Sequence, residues 1–182
     1  MENQDSSTKL ALAMHYVIWR CQDPTTLGAT KLNKILFFAD ICSYLERGES
    51  ITGVSYIKRQ FGPVPNDKDL FSARNKLEQS KKIAVTKDLY YDLPQYQFVA
   101  LEKPDISRLS PEEVSILDII TEEICQKHTA SSISEKTHNI VWETAEIGEE
   151  IPLFAVFASR FGEITEKDIQ WARSEVYRLH MA

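Results

Sequence analysis

The sequence predicts an α+β fold that is predominantly helical, a single domain with a small antiparallel β element packed on a helical core. Three observations carry this expectation. Apolar residues recur at helical spacing in four separate stretches, within residues 10–21, 32–45, 70–77 and 114–124. Two short runs rich in β-branched and aromatic residues, 83–91 and 96–102, lie close enough to pair as a hairpin. The 182 residues, 43% hydrophobic and 26% charged, suit one well-buried domain of ordinary composition. No repeat, low-complexity tract or long linker divides the chain, so one domain is expected over residues 1–182.

The first helix is expected over residues 8–21, with Leu10, Met14, Val17, Ile18 and Cys21 on one face. Residues 22–29, containing Asp23-Pro24 and Gly28, read as a loop. A second helix follows over 30–47. Leu32, Ile35, Leu36 and Ala39 share a face, and Phe38, Ile41 and Leu45 form a second stripe beside it. Two apolar stripes predict a central helix, buried on most sides. Gly48 supplies the residue at positive φ that closes a helix end.

Residues 51–60 alternate loosely and favour a strand. In Phe61-Gly62-Pro63-Val64-Pro65, Gly62 and Val64 each precede a proline and are pushed towards extended backbone, which predicts a stiff loop. Asn66 stands as the N-cap of a third helix reaching about residue 81, with Asp67 and Asp69 in its first turn. Leu70, Ala73, Arg74 and Leu77 share one face of it. The hairpin over 83–91 and 96–102 is expected to turn around Asp92-Leu93-Pro94-Gln95.

Ser110-Pro111-Glu112-Glu113 is the clearest boundary in the chain. It places a Ser N-cap, a Pro in the first helical position and a Glu able to bond back to the cap. Val114, Leu117, Ile120 and Ile124 continue as the buried face. Ser132 with Glu135 repeats the capping pattern for a shorter helix through His138. Residues 143–150 form an acidic connector, and the apolar residues 151–158 suit either a short helix or a strand. Thr165 with Asp168 opens a final helix over about 166–180, using Ile169, Ala172, Val176 and Leu179.

The passage over residues 31–66 carries a family resemblance. Its helix reads KLNKILFFA, and its strand runs into Phe61-Gly62-Pro63-Val64. Downstream, Thr137-His138-Asn139-Ile140-Val141-Trp142 places a Trp four residues after a His, and Gly148-Glu149-Glu150-Ile151-Pro152 follows. This ordered set resembles the SocA-like Panacea domain of bacterial and phage antitoxins, over about residues 10–155. Phe61 stands where the family more usually has Tyr, which removes a hydroxyl. The resemblance implies a non-enzymatic protein that neutralises a cognate toxin by binding it, the toxin being encoded by a neighbouring gene.

The residues themselves nominate no catalytic set. There is no Gly-x-Ser-x-Gly elbow, no Gly-rich phosphate loop and no His-Glu-x-x-His helix. Cys125, His128 and His138 are too few and too widely spaced for a structural zinc site, so neither metal nor cofactor is expected. Phe61, Pro63, Val64, His138 and Trp142 are the candidate partner-binding residues. Each has two readings. The proline-rich loop either stiffens a turn or presents apolar groups on a preordered backbone. His138 and Trp142 either pack as an aromatic cluster or touch the partner.

Charge is unevenly spread. Residues 51–90 hold eight Lys/Arg against four Asp/Glu, and residues 91–182 hold eight against seventeen. Glu143, Glu146, Glu149 and Glu150 are the densest acidic cluster, suited to steering a basic partner. The alternative function is DNA regulation, since three helices and a hairpin follow the order of a winged helix-turn-helix. Lys68, Arg74, Lys76, Lys81, Lys82 and Lys87 would serve it, but a net charge of −6 opposes phosphate binding. The polar start MENQDSSTK, apolar runs too short for a bilayer, and three widely spaced cysteines together predict a cytoplasmic chain without structural disulfides.

Overall fold

The computed structural model describes residues 2–21, 23–90, 93–138 and 140–156, so the helix expected over 166–180 lies outside the described residues. In chain order the helices are α1 (Glu2–Arg20), α2 (Ala29–Arg47), α3 (Asp67–Gln79), α4 (Pro111–Lys127), α5 (Ala130–Glu135) and α6 (Ile140–Thr144). The strands are β1 (Tyr56–Arg59), β2 (Gly62–Pro65), β3 (Ile83–Tyr90), β4 (Leu93–Ala100) and β5 (Glu150–Ile151). One antiparallel sheet has the order β2-β1-β5, and β3 with β4 forms a separate hairpin. The fold is α+β and predominantly helical, as its periodicity predicts.

The core lies between α1 and α2 and the helices laid on them. α1 packs against α2, α3 and α4, while α2 also packs against β2 and α5. Both apolar stripes of α2 are used: Leu32, Ile35, Leu36, Ala39 and Ile41 are buried, with Phe38 and Leu45 partly so. Gly48 ends the helix at φ +77°, its N–H donating to the Tyr44 carbonyl at 2.9 Å. α1 starts at Glu2 rather than at the expected Thr8.

The caps of α3 and α4 form as their sequences predict. Asn66 Oδ1 accepts from the Asp69 N–H at 3.1 Å. Ser110 Oγ accepts from the Glu113 N–H at 3.2 Å, and the Glu113 carboxylate accepts from the Ser110 N–H at 2.9 Å. Such a cap is worth about 1 kcal/mol. Glu113 does more than cap, because the same carboxylate takes Lys9 Nζ of α1 at 2.7 Å and Arg47 Nη2 of α2 at 3.3 Å. One buried glutamate thus fastens the start of α4 to both central helices.

Several local expectations are corrected. The strand expected over 51–60 begins only at Tyr56. Asp40, buried in α2, accepts from the Thr52 N–H at 2.9 Å, from the Thr52 hydroxyl and from Tyr56 Oη at 2.8 Å. Those bonds hold residues 51–55 against α2 and remove a donor that a ladder would need. The stretch expected as a stiff loop is strand β2, paired with β1 in the register Lys58↔Pro63 and Tyr56↔Pro65. Prolines are tolerated there because β2 is an edge strand whose missing N–H groups face away from the ladder.

Leu93 and Pro94, expected in the turn of the hairpin, belong to β4 and pair with Tyr90 and Leu89. The cap of α5 is Thr129 and not Ser132. Thr129 Oγ1 accepts from the Ser132 N–H at 3.1 Å, and Ser132 Oγ accepts from the Thr129 N–H at 3.0 Å. α5 accordingly ends at Glu135 instead of running through His138, and Glu143 belongs to α6 instead of opening a connector. The undecided residues 151–158 divide: Ile151 extends the sheet, Leu153–Val156 is a 3-10 turn, and residues 157–158 lie outside the described residues.

Candidate functional site

Three segments distant in sequence meet at the outer edge of β2. Lys34 comes from α2, Gly62 and Pro63 from the start of β2, and Thr137 with His138 from the turn between α5 and α6. The free edge of β2 leaves the Pro63 carbonyl without a strand partner, and Lys34 Nζ donates to it at 2.9 Å. Lys34 is only 1% exposed. That burial penalises its charged form and lowers its pKa to about 7.

Gly62 allows the close approach. Its φ is +97°, a conformation that side chains strain to adopt. A Cβ at this position would stand 2.6 Å from Lys34 Nζ and nearer still to Thr137 Oγ1. Thr137 is itself buried and donates its hydroxyl to the Ser134 carbonyl at 2.7 Å, closing the turn after α5. Glycine is therefore required here twice, by backbone conformation and by space.

The aromatic pair sits beside this contact. The rings of His138 and Trp142 stack at 3.7 Å between centroids with 7° between planes, although no single helix spans both residues. Trp142 Nε1 donates to the Arg59 carbonyl at 3.3 Å, which ties α6 to the end of β1. Lys58 Nζ lies 4.1 Å over the indole ring and donates to the Ala145 carbonyl at 2.9 Å. His138 Nε2 is buried without a hydrogen-bond partner. Burial, and then the nearby Lys34 charge, lower the His138 pKa.

The five candidate partner-binding residues thus sit in different surroundings. Pro63 is buried, and Val64, His138 and Trp142 are half-buried. Phe61 occupies the β1–β2 turn and is 58% exposed. Ile147 is another large apolar residue at this end of the sheet, 64% exposed. The Gly148 N–H donates to the Lys58 carbonyl and the Lys58 N–H to the Glu149 carbonyl, so the turn containing Ile147 lies beside the end of β1 that leads to Phe61. Glu143, Glu146, Glu149 and Glu150 around it are all exposed.

Chemically, this arrangement is built for packing and presentation. The Thr137 hydroxyl is committed to a carbonyl, Lys34 is enclosed, and His138 is stacked. Among the described residues no group of three or more His, Cys, Asp or Glu side chains could hold a metal ion. Sequence reasoning missed Lys34, Lys58, Gly62 and Thr137 as members of the junction. For Lys34 a signal was present: it falls on the stripe of Phe38, Ile41 and Leu45, at spacings of four, seven and eleven, which marks it for burial.

The family model for the antitoxin SocA-like, Panacea domain matches residues 32–143, from the start of the α2 core face to just past Trp142. No curated protein and no solved structure matches the chain.

Proposed function

The chain belongs to the SocA-like Panacea domain family of antitoxins, and we propose that it neutralises its toxin by direct binding through the sheet end that carries Phe61 and Ile147. The observation that supports this most is the pairing of two large, exposed apolar side chains with a rim of four exposed glutamates. Exposed apolar groups with a polar rim mark protein contacts. An acidic rim favours a basic toxin and accelerates encounter with it. In this reading Phe61 touches the toxin, while Pro63, Val64, His138 and Trp142 fix the turn that presents it. A stiff turn lowers the ordering cost of binding. The toxin is the product of a neighbouring gene.

DNA binding has less to stand on. Two of the lysine and arginine residues it would use already face carboxylates: Arg74 pairs with Glu78 at 3.3 Å and Lys82 faces Glu102 at 4.0 Å.

Surface variants test the proposal. Replacing Phe61 and Ile147 together by Asp should weaken toxin affinity at least about tenfold, since buried aromatic anchors dominate such interfaces. Replacing Glu143, Glu146, Glu149 and Glu150 by Gln should slow association severalfold at low salt, with the difference fading as salt screens the charge. Stopped-flow and calorimetric titration against the neighbouring gene product would measure both. Wild-type affinity in a folded Phe61→Asp, Ile147→Asp chain would sink the assignment of this surface.

A further inference from the structure

Away from that surface, two cysteines from distant parts of the chain face each other. Cys21 closes the end of α1, its N–H donating to the Val17 carbonyl at 2.9 Å, and Cys125 lies near the end of α4. Their Sγ atoms are 3.2 Å apart, although 104 residues separate them in sequence. Both line an open groove of about 490 Å³ with Arg20, Asp23, Thr26 and Glu122, so a small solute can reach them. Lys31 Nζ donates to the Cys125 carbonyl at 3.4 Å, placing a cation beside the pair. Both residues pack on the hydrophobic core, but the toxin-binding reading makes no use of their sulfur contact.

We propose that Cys21 and Cys125 are a peroxide-sensitive thiol pair that closes to a reversible disulfide between the end of α1 and the last turns of α4. Cys21 is the attacking sulfur. The hydrogen bond from the Cys125 thiol lowers the Cys21 pKa, with Thr26 and the Lys31 charge acting in the same direction against burial. The same contact, with burial, pushes the Cys125 thiol up. The contact thus favours the thiolate on Cys21 and the proton on Cys125.

The Cys21 thiolate attacks one oxygen of hydrogen peroxide; the S–O bond forms, the O–O bond breaks, and the departing hydroxide takes a proton to become water. Cys125 sulfur then attacks the resulting sulfenic acid of Cys21. The S–S bond forms, the S–O bond breaks, and hydroxide leaves with the Cys125 proton as a second water. Two thiols lose two electrons and one peroxide is reduced to two waters. The bridge closes a loop of about a hundred residues, the kind of cross-link that constrains the unfolded chain most.

The test treats the reduced full chain with hydrogen peroxide. Expected are the loss of two hydrogen atoms in the intact mass and a fall in titratable thiols from three to one, with Cys42 remaining reduced. A peptide map should join residues 21 and 125, and dithiothreitol should reverse the change. The oxidised chain should melt roughly 5–15 °C higher than the reduced one. In a Cys125→Ser chain, dimedone should trap the sulfenic acid on Cys21. Retention of all three thiols, earlier oxidation of Cys42, or a cross-link between two chains would overturn the proposal. The wild-type mass and peptide map decide it even where a variant fails to fold.

Discussion

A Gly62→Ala chain should lose about 2–6 kcal/mol of stability, combining backbone strain of about 1–3 kcal/mol with overpacking of about 1–3 kcal/mol. The strain arises because φ is +97° there. The overpacking arises because the new methyl group meets Lys34 Nζ and Thr137 Oγ1, both enclosed. Lys34 cannot retreat without giving up the Pro63 carbonyl, and Thr137 cannot without opening its turn. Gly48→Ala supplies the control, since Gly48 also has positive φ, +77°, but nothing lies within 4 Å of its missing Cβ. It should cost about 1–2 kcal/mol, the conformational part alone. Urea denaturation of the two variants would separate the contributions. Equal losses would mean that the edge of β2 is not packed against Lys34 and Thr137.

The second large effect concerns pH. Lys34 has its pKa lowered by burial to about 7, well below the ordinary lysine value. Below pH 7 both native and unfolded chains hold the proton, and the contribution is flat. Between pH 7 and about 10 the unfolded chain keeps a proton that the native chain has released, so native stability rises with pH across this window. At about 1.4 kcal/mol per unit the gain is of the order of 4 kcal/mol by pH 10. A neutral amine still donates to the Pro63 carbonyl, so the junction survives deprotonation. Asp40, raised by its burial to about 6, titrates below this window. Lys34→Met should remove the alkaline gain, read as the difference between the two chains in denaturant midpoints from pH 7 to 10. Parallel pH profiles would place the Lys34 ammonium in water.

Much of the fold is legible in the sequence because it is written in local chemistry. Asn66 and Ser110 carry their bonding partners three residues away, so both helix starts are readable from adjacent letters. The two stripes of α2 state its central position. Errors cluster where a tertiary contact decides. Residues 51–55 read as strand until Asp40 takes the Thr52 donor, and Gly62–Pro65 reads as loop until its role as an edge strand excuses the prolines. Thr129 and Ser132 are both plausible caps, and their reciprocal bonds select the earlier one.

The junction was legible only in part, for the same reason. His138 and Trp142 were visible as a pair, yet the Lys34 contact that gives Gly62 its meaning joins residues 29 apart in sequence. Ile147 carries no sequence signal of its own. It becomes a candidate contact because the pairing of β5 with β1 lays its turn beside Lys58, at the end of β1 that leads to Phe61.

The most direct measurement is a titration of the wild-type chain, at physiological ionic strength, with the purified product of the neighbouring gene and, separately, with duplex DNA. The account predicts saturable binding to the neighbour, loss of that neighbour's toxic activity as the complex fills, and no comparable binding to DNA. Salt-sensitive DNA binding that depends on Lys76 or Lys81, together with no affinity for the neighbour, would contradict it.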